Sequence, residues 1–264
     1  MVRTKAAGLW LALTLIIYCS LVCPAEAEQL YLNELLESHP HIQVPKEDPI
    51  VRTLELNLEP PVPGLEPEAL PAPAPLPQRK IALTFDDGPD RINTPKILDI
   101  LRDEQVVATF FVLGEKVERY PEVTQRIFQE GHLLANHSRT HADFAELSNE
   151  EILFLELEPT SAAVERLTGY YPRIMRPPYG SLRQDSVVFL RESGWQIVRW
   201  SLDTFDWDST RNSPEEIIER VKTQHHNKAV VLMHCNGPAT IQALPGIIKV
   251  LRGLGYEFVP VNQL

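Results

Sequence analysis

From Lys80 onward, short apolar runs alternate with stretches whose apolar residues recur every three or four positions. The runs 81–85, 108–113, 133–135, 197–201, 230–233 and 256–259 are too short for helices and rich in Val, Ile and Phe, so they read as strands. Between them, 94–103, 122–130, 149–168, 185–192, 214–224 and 241–251 carry the helical period. Pro95 stands near one helix start, and Gly131, Gly169, Gly194 and Gly253 stand near helix ends, where each residue type is favoured. Strand–helix alternation sustained to the C-terminus implies an α/β fold on a parallel sheet, open or closed.

Ahead of this region the pattern breaks down. Pro60, Pro61, Pro63, Pro67, Pro71, Pro73 and Pro75 crowd one stretch. Proline removes backbone donors and favours extended geometry, so the stretch reads as a semi-rigid spacer, with a ligand for a proline-binding domain as the other reading. Leu30, Leu32, Leu35 and Leu36 in 28–43 fit a short amphipathic helix. At the N-terminus, Arg3 and Lys5 precede an apolar run over 9–22, and Ala25-Glu26-Ala27 follows Pro24. That order suits a secretory signal cut after Ala27; an uncleaved membrane tether is the alternative, because no charge appears between Ala6 and Ala25. Bulky Val22 before Cys23 disfavours lipoprotein processing. The expected organisation is a signal peptide at 1–27, an N-terminal segment with Pro-rich linker at 28–78, and a catalytic domain at 79–264, all folded parts lying outside the cytoplasm.

Bulk properties agree with that placement. The chain has 264 residues and a formal net charge of −11, which argues against nucleic acid or an anionic membrane surface as partner. Cys19 and Cys23 fall in the leader, so the mature chain keeps only Cys235 and forms no internal disulfide. Cys235 reads as a small buried residue, with a thiol competing for a metal as the other reading.

Candidate chemistry sits where the apolar runs stop. Asp86 and Asp87 end the first run ahead of Gly88-Pro89. Adjacent carboxylates repel unless they share a positive group. In a strand they point to opposite faces, but at the turn both can reach the mouth of the sheet. His137 and His141, four apart, would share one face of a helical turn and suit a single zinc; an aspartate from elsewhere completes a two-histidine, one-carboxylate site. Asn136-His137-Ser138 is formally a glycosylation sequon, but a glycan there would block such a site. Arg176-Pro177-Pro178-Tyr179-Gly180, Asp203-Thr204-Phe205-Asp206-Trp207 and Leu232-Met233-His234 follow later apolar runs. Singly these are a rigid loop, an acidic turn and a buried histidine. Jointly, five polar clusters at strand C-termini converge on one rim, the rim where barrel enzymes carry their active sites.

These five segments, in this order, resemble the motifs of the polysaccharide deacetylases of the NodB-homology type, carbohydrate esterase family 4, over residues 78–264. The resemblance implies a distorted, incomplete (β/α) barrel of seven-stranded type. It implies that Asp87, His137 and His141 bind a divalent metal, zinc foremost, with cobalt, nickel or manganese as substitutes. It further implies Asp86 as general base, Arg176 as its partner, the backbone N–H of Tyr179 as oxyanion donor, and His234 as general acid supported by Asp206. Leu232 and Trp207 would line the acetyl pocket; Asp203 is left between a structural and a site role. The implied activity is removal of N-acetyl groups from an amino-sugar polysaccharide, with peptidoglycan favoured by the leader and spacer. O-deacetylation of acetylated xylan stands as a rival within the family, and a non-catalytic carbohydrate-binding protein as a rival of another class.

Overall fold

The computed structural model describes residues 79–264; the expected leader at 1–27 and the segment and linker at 28–78 lie outside the described residues. β1 (Arg79–Gly88) sets the plan. Its residues alternate between faces, as a period of two requires. Ile81, Leu83 and Phe85 join the main core with Ile97, Leu98 and Leu101 of α1 (Asn93–Asp103). Ala82 turns the other way, into a smaller inner cluster with Phe111, Ala135, Ile174 and Val261. Both faces are therefore covered, which is why the run is apolar throughout rather than alternating with charge.

Among the described residues seven further strands follow: β2 (Thr109–Val112), β3 (Leu133–Asn136), β4 (Ile174–Met175), β5 (Gln196–Ile197), β6 (Leu202–Asp203), β7 (Ala229–His234) and β8 (Tyr256–Phe258). All pairings are parallel. The order is β5-β4-β3-β2-β1-β7-β6, with β8 pairing separately to the start of β1. The seven-strand path ends at β5 and β6, so the curled sheet is an incomplete barrel, as the motif resemblance implies. Between the strands lie α2 (Gly114–Arg119), α3 (Pro121–Gln129), α4 (Asn149–Glu151), α5 (Glu158–Thr168), α6 (Gln184–Glu192), α7 (Pro214–Gln224) and α8 (Pro238–Gly253).

Four elements depart from the sequence reading, the two-residue strand β4 being one that the apolar runs did not pick out. The expected strand 197–201 is divided, because the chain there crosses the opening in the barrel. Val198 N donates to Met175 O on one side, and Ser201 N donates to Val230 O on the other, leaving 198–201 outside any strand. The expected helix 149–168 is interrupted by a π-helical turn, Ile152–Leu157. Pro159 supplies the reason: it has no N–H for the Leu155 carbonyl and its ring crowds that group, so the helix widens before it. Ser148 and Glu151 start this helix with a reciprocal capping box. The short helix α2, not anticipated from the periodicity, packs on α5.

Gly114 lets those two helices meet. A Cβ there would collide with Thr160 Oγ1 and lie 3.3 Å from the Arg139 backbone. Gly114→Ala is expected to cost about 1–3 kcal/mol of stability through overpacking, read as a lower midpoint in urea denaturation; an unchanged midpoint would show that α2 shifts freely.

Candidate active site

β1 brings two neighbouring carboxylates to one place by breaking its own alternation. Phe85 pairs with Phe110 but Gly88 pairs with Val112, so β1 carries one extra residue against β2. Asp87 is that break, with φ 66 in the left-handed region. Asp86 stays in register and points inward, while the bulge turns Asp87 back toward the same mouth. Lys116 Nζ on α2 donates to the Asp87 carbonyl at 2.7 Å and holds the bulge.

The histidine pair is also placed by loop geometry. Residues 137–141 are not helical, and both Ser138 (φ 85) and His141 (φ 70) are left-handed. The expected helical turn is thus corrected: the loop folds back on itself because Ser138 N donates to Asn136 Oδ1 and His141 N donates to Ser138 Oγ. Asn136 is fully buried, with its amide donating to Leu157 O and Ser161 Oγ, so the sequon is closed to glycan attachment in the folded chain.

His137 Nε2 lies 3.4 Å and His141 Nε2 3.2 Å from Asp87 Oδ1. His137 Nδ1 donates to the Arg176 carbonyl at 2.9 Å; a carbonyl only accepts, so Nδ1 carries the hydrogen and Nε2 is the atom free to coordinate. His141 Nδ1 pairs with Tyr179 Oη at 3.1 Å. Asp87 Oδ1 is buried yet has no hydrogen-bond partner. Its distances to the imidazoles are long for charge-assisted hydrogen bonds, about 2.7–2.9 Å. They match the edge of a tetrahedron with metal–ligand bonds of about 2.0–2.1 Å, which is about 3.3 Å. The donor set therefore fits a metal ion. Burial alone would raise the Asp87 carboxyl, but the facing imidazoles outweigh it and hold the group well below the usual carboxylate range.

Asp86 is 2% exposed and Arg176 fully buried. Arg176 Nη1 donates to Asp86 Oδ1 at 2.7 Å and to Thr84 Oγ1 at 2.9 Å, and its plane lies over Phe111, 4.1 Å from the ring centre. Nε and Nη2 reach the carbonyls of Val198 and Arg199, in the segment that spans the barrel opening. Asp86 Oδ2 is left facing His137 Nε2 at 3.7 Å.

His234, at the end of β7, pairs with β1 opposite Asp86. Its Nδ1 meets Asp206 Oδ1 at 2.8 Å, and Asp206 Oδ2 accepts from the His234 backbone and from Thr240 Oγ1. Burial opposes charge on the imidazole, but Asp206, helped by Asp86 and Asp87, pushes its pKa up to about 9. Trp207, Leu232 and Tyr179 line the same cleft of about 350 Å³. Asp203 lines it too: its Oδ1 accepts from Phe205 N at 2.8 Å and from the Trp207 indole at 3.3 Å, which places it as a support for that ring. Cys235 is buried, packs 2.8 Å from where a Cβ on Gly88 would lie, and burial pushes its thiol up, which keeps it protonated.

All ten site residues expected from the sequence thus surround one cleft or support it. Sequence reasoning missed Thr84, Lys116, Glu156, Asn236 and Thr240. Glu156 accepts from the 139–140 backbone, and Asn236 Nδ2 donates to Asp87 Oδ2 at 3.1 Å. The missed side chains act across long sequence separations and carry no local signature.

The comparisons with known proteins agree on one family. A family model described as polysaccharide deacetylase matches residues 74–198. Over 189 residues the chain is 38% identical to a peptidoglycan-N-acetylglucosamine deacetylase of Bacillus cereus, covering 70% of this chain and 68% of that protein. It is 37% identical over 187 residues to the peptidoglycan-N-acetylmuramic acid deacetylase PdaC of Bacillus subtilis, covering 71% of this chain and 39% of that protein. The crystal structure of the Bc1960 peptidoglycan N-acetylglucosamine deacetylase matches with a TM-score of 0.68 at 37% identity, covering 72% of this chain and 89% of that one.

Arg176 is expected to be structurally indispensable. Arg176→Ala leaves the Asp86 carboxylate buried without its partner and should cost about 3–5 kcal/mol, measured by chemical denaturation at neutral pH. A loss under about 1 kcal/mol, the range of exposed pairs, would mean that water reaches Asp86.

Proposed function

Because the chain belongs to the polysaccharide deacetylase family, we propose that it hydrolyses N-acetyl groups from N-acetylglucosamine-type units of a cell-wall or extracellular polysaccharide, peptidoglycan foremost. One observation carries the reading: a metal-fitting set of Asp87, His137 and His141 stands beside an arginine-held carboxylate and opposite a carboxylate-held histidine. The peptidoglycan deacetylases among its relatives support the substrate class, and the expected leader and Pro-rich spacer fit it.

Asp87, His137 and His141 would hold a divalent cation; two imidazoles and a carboxylate suit zinc, with cobalt, nickel or manganese as substitutes. When bound, the cation supplies Lewis acidity toward the acetyl carbonyl and makes the attacking water easier to deprotonate. Asp86 takes the proton from that water. Its Oδ1 is committed to Arg176, so Oδ2 is the oxygen left to act. The Tyr179 backbone N–H, in a left-handed turn at φ 59, stabilises the carbonyl oxygen as it gains charge. Leu232 and Trp207 shelter the acetyl methyl group. His234 gives its Nε2 proton to the departing nitrogen, while Asp206 at Nδ1 fixes the ring and keeps it charged. The products are acetate and the free amine of the sugar.

Acetate release from peptidoglycan, chitooligosaccharides and acetyl-xylan, each with and without chelator, tests this reading. Release from the amino-sugar polymers that chelation stops, and that Asp86→Asn lowers by at least about 100-fold at unchanged metal content, is expected; release from acetyl-xylan alone overturns it.

The acid form of His234 exists below its raised pKa and is lost above it. The alkaline limb of kcat/KM should therefore fall near pH 9. Asp206→Asn removes the chief group that raises the pKa and should move that limb toward lower pH; a limb that stays in place assigns the proton to another group.

A further inference from the structure

We propose that Glu156, on the π-helical turn, is a positioning residue for the metal site, clamping the loop that carries both histidine ligands. The proposal rests on the metal reading of Asp87, His137 and His141 given above. Glu156 is 6% exposed, and among the described residues no cationic side chain pairs with its carboxylate. All its side-chain partners come from the two residues between Ser138 and His141. Oε2 accepts from Arg139 N at 2.7 Å and Thr140 N at 2.9 Å, and Oε1 accepts from Thr140 Oγ1 at 2.8 Å.

The loop needs such a clamp. Left-handed backbone at non-glycine residues persists only where the surroundings over-determine it, and this loop has two such residues. On its far side, Gly114 N and Glu115 N at the start of α2 donate to the carbonyls of Ser138 and Arg139. Glu156 takes the N–H groups from the near side. The peptides between the two imidazoles are thereby gripped by both their donors and their acceptors.

The π turn is what presents the carboxylate. Glu158 N bonds back to Leu153 O, five residues earlier, and Pro159 enforces the widening. Within the turn Phe154 and Leu155 face solvent while Glu156 faces the loop. The donor pattern also fixes which substitution removes the clamp. Both backbone N–H groups fall on Oε2 and only the Thr140 hydroxyl on Oε1, so a glutamine could keep the backbone pair and donate to that hydroxyl, whereas alanine removes all three contacts.

Zinc affinity of the full chain, measured by competition with a chromophoric chelator, tests the assignment. Glu156→Ala is expected to weaken zinc binding by about 10-fold or more, and Thr140→Val, which removes only the Oε1 contact, by less. A purely structural role would lower the melting midpoint of the metal-free protein while leaving the zinc affinity of the folded chain unchanged, and that result overturns the proposal. Should Glu156→Ala fail to fold, Thr140→Val decides: parental affinity there overturns it. His141→Ala separates the two readings, because parental zinc affinity in that variant sinks the metal site itself, whereas its loss beside an unaffected Glu156→Ala sinks only the clamp.

Discussion

A guanidinium inside a half-closed barrel governs how the rest of this molecule is arranged. Taking Arg176 and Asp86 out of water costs several kcal/mol per ion, and their attraction offsets that only if the remaining donors are satisfied. Here they are: Asp86, Thr84 and the carbonyls of Val198 and Arg199 receive the N–H groups, and Phe111 lies against the planar face. Phe111 belongs to the inner cluster that also holds the small residues Ala82 and Ala135. Arg176 also repairs the gap where the sheet fails to close. The 198–199 carbonyls leave the strand ladder there and would otherwise lack partners.

With the interior fixed, the rim can hold backbone that would not persist alone. Among the described residues, seven non-glycine residues have positive φ, and five of them (Asp87, Ser138, His141, Tyr179 and Phe205) lie in or beside the cleft. Four of these five have a local reason. Lys116 grips the carbonyl at Asp87, Ser138 and Glu156 brace the histidine loop, and Asp203 accepts from Phe205 N. Strain concentrated around one cleft, and supported by packed elements on every side, is how preorganised sites are built.

How much of this could be read from the sequence follows from the range of the forces involved. Strands and helices alternate because burial periodicity is local, and that alternation led to the right sheet. The polar clusters at strand ends are local too, and Asp86, Asp87, His137, His141, Arg176, Asp206 and His234 do meet in space. What was not legible depends on contacts across the fold. Aspartate tolerates the left-handed region better than most residues, but what fixes Asp87 at φ 66 is the bulge against a neighbouring strand and a lysine from α2. The i, i+4 spacing of His137 and His141 suggested a helical turn, yet the same closeness arises from a loop reversed by Ser138. Pro159 lies inside the helix expected over 149–168, and neither the widening it imposes nor the aiming of Glu156 at another loop was read from the sequence. The split of 197–201 likewise depends on an arginine some twenty residues earlier.

Burial divides the cleft into two zones with different freedom to vary. Asp86 and Arg176 are almost wholly enclosed, and changes there must answer to desolvation and packing together. Tyr179 and Trp207 are 68% and 56% exposed, so their rings offer apolar surface that an incoming sugar would meet. Covering an exposed aromatic with a sugar face removes apolar area from water without disturbing the interior. The anchoring is nonetheless continuous: the Trp207 indole is tied to Asp203, Tyr179 Oη to His141, and the Arg176 carbonyl to His137. A rim residue can therefore be exchanged for substrate fit only if its tether is kept. Loss of the Tyr179 hydroxyl would free a histidine ring that faces Asp87, so the outermost aromatic and the proposed metal site are mechanically one unit.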